Sequence, residues 1–148
     1  MAYKTLMRDA TVGDCVGAAF GELEELASEM REWYDNLSEG LQQTDKAQTI
    51  ESTAGTLENY SEPDVPECVA ALPVKYAEMV NKDKRRGPSR DVRCQNAVAM
   101  LTAAKEAVDE WLADRRHDAD GYDDANQLSS DLDEAVGEAE GCEFPGMY

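Results

Sequence analysis

The sequence predicts an all-α fold: an antiparallel bundle of four to five helices with two long helices. Three observations carry that expectation. Val, Ile and Phe are few while Ala, Leu, Glu and Asp abound, and straight-chain residues lose little rotamer freedom in a helix whereas β-branched residues favour strands. Apolar positions recur at alternating steps of three and four over long stretches, the spacing of a helical seam. Residues able to cap a helix stand just ahead of several of those stretches.

The first seam is Val16, Phe20, Leu23, Ala27, Met30, Tyr34, Leu37 and Leu41. Thr11 can cap its start, Asp14 lies three residues on and Gly40 suits its stop, so one helix is expected from about Val12 to about Glu39. Ala47, Ile50, Ala54 and Leu57 form a second seam behind Thr44, folding back antiparallel. The prolines of Ser61-Glu-Pro-Asp-Val-Pro66 end it, because proline removes a donor and disfavours helix in the preceding residue. Asp64 and Glu67 have capping-box spacing for a short helix beginning near Pro66, which Pro73 interrupts before Val74 to Val80 resume it. Lys82 to Arg90 reads as a basic loop. The seam Cys94, Ala97, Leu101, Ala104, Val108 and Trp111 then predicts a helix from about Ser89 to about Arg116. After a turn over 117–123, Ala125, Leu128, Leu132, Ala135 and Ala139 predict a final amphipathic helix, with an irregular tail over 141–148.

At 148 residues, 42% hydrophobic and 31% charged, the chain fits a single acidic helical domain, 1–148. No apolar stretch approaches the ~18 residues of a membrane span, and Met1 to Arg8 lack the apolar region of a secretory signal, so a cytoplasmic protein with no membrane partner is expected. Cys15, Cys68, Cys94 and Cys142 form no CxxC pair and have only His117 to join them, which argues against zinc. Cys15, Cys68 and Cys94 sit among apolar residues and are expected as small buried hydrophobes. His117, after Arg115-Arg116, reads as a surface residue near a helix C-terminus. Trp33 and Trp111, each beside carboxylates, are expected to pack on or beside the seams.

The formal net charge is −18, distributed as −8 over 1–60, +1 over 61–90, −1 over 91–117 and −10 over 118–148. On the first helix Glu22, Glu25, Glu29, Glu32, Asp35 and Glu39 fall opposite the seam as a carboxylate stripe. On the last, Asp124, Asp131, Glu134 and Glu138 lie beside its seam. Like charges at these spacings repel by a few tenths of a kcal/mol per pair, and few lysines stand nearby to relieve them. Asp118 to Asp124 fails the calcium-loop register and reads as a turn with a helix N-cap. The basic residues Lys82, Lys84, Arg85, Arg86 and Arg90 sit on an acidic body that repels nucleic acid, so they are expected to pair with acidic faces of this chain or of a second copy.

Glu22-x-x-Glu25 and Glu106-x-x-Asp109 resemble the paired acidic helices of the all-α MazG-like nucleoside triphosphate pyrophosphatases, which implies a magnesium-dependent nucleotide pyrophosphohydrolase. The pairs stand much farther apart here than in that family's pattern. No catalytic triad, phosphate loop or nucleophile elbow is visible.

The expectation is therefore a non-enzymatic acidic binding or inhibitor protein without metal or cofactor. Its carboxylate faces would engage a basic, nucleic-acid-binding protein as a DNA mimic, as small acidic inhibitors among viral and mobile-element proteins do. One helix is too sparse for this: carboxylates three and four apart recur about every 5 Å, against one charge per ~1.7 Å of duplex axis. The mimic needs acidic faces brought side by side. A self-associating helical scaffold, with the seams shared in a homodimer, is the alternative.

Overall fold

The computed structural model describes residues 3–82 and 87–145. It corrects the all-α expectation: the chain is mostly helical, but a two-stranded antiparallel sheet accompanies six helices among the described residues. The order is β1 (Tyr3–Thr11), α1 (Val12–Asp35), α2 (Glu39–Gln42), α3 (Asp45–Glu58), α4 (Glu67–Ala70), β2 (Pro73–Asn81), α5 (Arg90–Ala113) and α6 (Tyr122–Glu140).

The long helices begin where their caps predict. The Asp14 amide donates to Thr11 Oγ1 (3.2 Å), the Ala47 amide to Thr44 Oγ1 (3.2 Å) and the Val92 amide to Ser89 Oγ (3.3 Å). α1 stops at Asp35, short of Gly40, and Leu41 at the end of its expected seam is 53% exposed. Pro66 caps α4 without a side-chain bond, so the capping box expected of Asp64 and Glu67 does not form. Gly121, at φ +82°, takes the N-cap place of α6. The left-handed turn favours glycine, and a Cβ there would lie 2.7 Å from Cys68 Sγ, so a larger residue would also have to displace the Cys68 side chain.

α1 lies between α3 and α5, and α5 lies between α1 and α6. Neighbours run antiparallel. Glu58 meets Arg31 while Tyr60, farther along, meets Phe20; Cys94 meets Ala139 while Asp109 meets Ser129. The predicted seams fill the core: Val16, Leu23, Leu101, Val108, Leu128 and Leu132 are essentially inaccessible, joined by Val69 of α4 and Val74 of β2. A satellite cluster of Met30, Ile50 and Ala54 is covered by Trp33, Tyr34 and Leu37. Trp111 is half-buried against the main core. Cys15 and Cys94 are buried as expected, whereas Cys68 is exposed.

The second correction concerns Val74 to Val80, expected as helix. Pro73 is the first residue of a strand, and β2 pairs with β1 in an unbroken register from Tyr3↔Asn81 to Thr11↔Pro73. Val74, Ala77 and Val80 mimic helical spacing, but the partner that makes this segment a strand is the distant N-terminal segment. On the far edge of β2 one residue is capped by a side chain: the Met79 amide donates to Asn96 Oδ1 (2.8 Å), and Asn96 Nδ2 donates to the Met79 carbonyl (2.9 Å). Residues 141–145 of the expected tail have no helix or strand, and Thr53 Oγ1 donates to the Glu143 carbonyl at 2.7 Å. The rest of the tail, 146–148, and the basic-loop residues Lys84, Arg85 and Arg86 lie outside the described residues.

Candidate functional site

The two predicted acidic faces have opposite fates. The first turn of α5 lies against α1, so two of the six residues of the α1 stripe, Glu22 and Glu29, are engaged within the chain. Arg93 bonds Glu22 through Nε, pairs with Glu29 through Nη2 at 2.7 Å and approaches Glu25 at 3.6 Å. Arg90 adds a second contact to Glu29 at 3.2 Å and sets its guanidinium 5.2 Å from the Trp33 ring centroid. The hydrogen bond from Arg93 is the main reason the Glu29 carboxyl is held below its ordinary value, with Arg90 adding to it. Glu25 and Glu32 remain exposed, Glu32 bordering a hollow of about 250 Å³ with Glu29, Trp33, Asn36 and Arg90. Asp35 is exposed at the end of α1, and Glu39 belongs to α2.

On α6, Asp124 is exposed in the first turn, whereas Asp131, Glu134 and Glu138 line a groove of about 540 Å³. Its opposite bank is the segment from Asn59 to Asp64, and its floor is Phe20, Tyr60 and Ala135. A hollow of about 440 Å³ adjoins it across Phe20, Tyr60, Ser61 and Glu62, and adds Glu24 and Glu58 from α1 and α3. Glu58 is bound by Arg31, with Nη2 to Oε1 at 2.7 Å. Glu24, Glu62, Asp64, Asp131, Glu134 and Glu138 form no ion pair with a described lysine or arginine, and among the described residues no basic one lines either hollow.

The two acidic ends are thus joined by a segment whose sequence signal was read as the stop of one helix and the capping box of the next. Residues 60–66 have no helix or strand, and Glu62 and Asp64, flanking Pro63, stand on the bank of the groove. Glu24, Glu58 and Glu62 were not singled out, and Asp64 was read only as a capping residue, because their relation to α6 is tertiary. Tyr60 fixes the floor: its ring meets Phe20 edge-on (centroids 6.2 Å, 87°), and its hydroxyl donates to the Ala135 carbonyl at 3.3 Å. Burial, with the neighbouring Cys142 and Glu138 adding to it, pushes its phenol well above the ordinary range, so it stays a proton donor.

The groove offers apolar contact below and unpaired charge above. That combination suits the alkyl stem and cationic head of lysine or arginine. The carboxylates are spread along the groove, and among the described residues no three or more His, Cys, Asp or Glu converge closely enough to hold a metal ion. The residues resembling a pyrophosphatase are engaged separately: Glu22 by Arg93, and Asp109 by Lys105 at 2.7 Å and by the Ser129 hydroxyl. No helix among the described residues is long and apolar enough to cross a membrane. No protein-family model, curated protein or solved structure matches the chain.

Proposed function

We propose that this chain is a non-enzymatic, cytoplasmic binding protein that takes a basic segment of a nucleic-acid-binding protein into the groove between Asn59–Asp64 and α6, competing there with nucleic-acid phosphate. The observation that supports this most is the contrast in pairing. Arginines engage Glu22 and Glu29 of the α1 stripe, yet Glu24, Glu62, Asp64, Asp131, Glu134 and Glu138 line two adjoining hollows and form no ion pair with a described lysine or arginine. Carboxylates kept together against their own repulsion raise the local concentration of a cationic partner and speed its capture. Acids from α1, the 59–64 segment and α6 side by side also ease the sparseness of a single helix. The seams that a shared bundle would need are buried within one chain, which favours this reading over a scaffold built on shared seams.

The test is titration calorimetry with a short arginine-rich peptide. Binding should weaken steeply with salt, duplex DNA should compete for the peptide, and Asp131→Asn with Glu134→Gln and Glu138→Gln should weaken it about tenfold or more. Glu32→Gln with Asp35→Asn, outside the groove, should leave it unchanged. Equal loss in both variants, or none in either, would overturn the assignment to the groove.

A further inference from the structure

The sheet has two strands and two outer edges, and the β2 edge is plugged at Met79 by the Asn96 side chain. Because both main-chain groups of Met79 go to Asn96, they cannot point toward Thr5, its partner in β1, so Thr5↔Met79 is a pair without mutual hydrogen bonds. The bond from the Val12 amide to the Leu72 carbonyl (3.0 Å) fits the same alternation, as does Pro73, without a donor, opposite Thr11. Odd-numbered residues of β1 therefore aim their N–H and C=O groups away from β2, along an edge with no strand beside it among the described residues.

Native edges are usually shortened, bulged, broken by proline or covered. β1 is nine residues long, paired without a bulge and free of proline, and Thr5, Met7 and Asp9 are exposed, Met7 by 66%. It lies where a chain of charge −18 is least acidic: Lys4, Arg8 and Lys75 outnumber Asp9 and Glu78 on the ribbon.

We propose that two copies of this chain pair antiparallel through the outer edge of β1, about a two-fold axis at Met7. In that register Met7 faces Met7 of the second copy and Thr5 faces Asp9, each pair exchanging both main-chain bonds; Leu6 faces Arg8 and Lys4 faces Ala10. It gives the fullest overlap of Tyr3–Thr11 with itself, and no like charges oppose. Sliding by one step of two residues either way sets Arg8 against Arg8 or Lys4 against Arg8 and shortens the ladder, which disfavours both alternatives. A second copy is favoured because the fullest overlap of the strand with itself matches hydrogen-bonding parity and sets each charged residue of β1 opposite an uncharged one.

Sedimentation equilibrium and amide exchange on the whole chain test this, at low salt and in ~1 M salt, where the Debye length falls to ~3 Å and repulsion between copies is screened. The expected result is a monomer–dimer equilibrium tightened by salt, with the Thr5, Met7 and Asp9 amides gaining protection as concentration rises. The Leu6 and Arg8 amides, which face β2, should be protected at every concentration. Met7→Pro removes an outward donor without touching the β1–β2 ladder and should weaken dimerisation about tenfold or more. Met7→Lys, which opposes its own charge at the axis, should weaken it too. A monomer at every concentration would overturn the proposal, as would a dimer indifferent to both variants or edge protection that appears only with an added peptide.

Discussion

The carboxylates of α1 and those of α6 share helical spacing and end in opposite electrostatic situations. Glu22 and Glu29 meet Arg93 and Arg90 in a half-buried seam between helices, where charge helps to set how α1 and α5 pack. Asp131, Glu134 and Glu138 meet other carboxylates across a groove. A count of acids per helix cannot separate these two. The placement of two arginines on the first turn of the neighbouring helix does.

The largest effect should come from removing the residue that makes α1 different. Arg93→Met leaves Glu22 and Glu29 half-buried without their main partner, and should cost about 2–3 kcal/mol in urea unfolding. Glu29→Gln should be milder, and it carries a pH signature. Because the folded-state value of Glu29 is lowered, its contribution is complete above the ordinary glutamate range and is lost as pH falls through the lowered value. The stability gap between wild type and Glu29→Gln should thus be widest near neutrality and close from about pH 5 downward, as thermal melts across that range would show.

On α6 the sign should reverse. Glu134→Gln with Glu138→Gln removes a like-charge pair one turn apart and should raise stability by a few tenths of a kcal/mol while weakening peptide binding. A loss of stability there would erase the contrast between the two regions. Glu25→Gln should be the smallest effect, within about 0.5 kcal/mol in urea unfolding, since its carboxylate is 71% exposed and 3.6 Å from Arg93.

The four long helices were legible because apolar periodicity is local, and for three of them the caps, Thr11, Thr44 and Ser89, are local too, whereas α6 starts at Gly121 without the side-chain N-cap expected of the 118–124 turn. The sheet was not. Tyr3 to Thr11 alternates weakly and is held by a segment on the far side of α1, α3 and α4, while Val74, Ala77 and Val80 imitate a helical face. Asp131, Glu134 and Glu138 were visible as a patch beside a seam, and the structure sets them in a groove. Glu22 and Glu29 were expected on an open face, yet the same reading paired Arg90 and its neighbours with acidic faces of the chain, and Arg90 does pair with Glu29. A seam says which side of a helix faces inward; which neighbour flanks it is decided by chain topology.

Asn96 meets the β2 edge at Met79 with a carboxamide that imitates the peptide group of a further strand. A further strand could not run the length of that edge without displacing it. In the proposed pairing the two-fold uses up the β1 edge in both copies, so assembly through β1 alone stops at two.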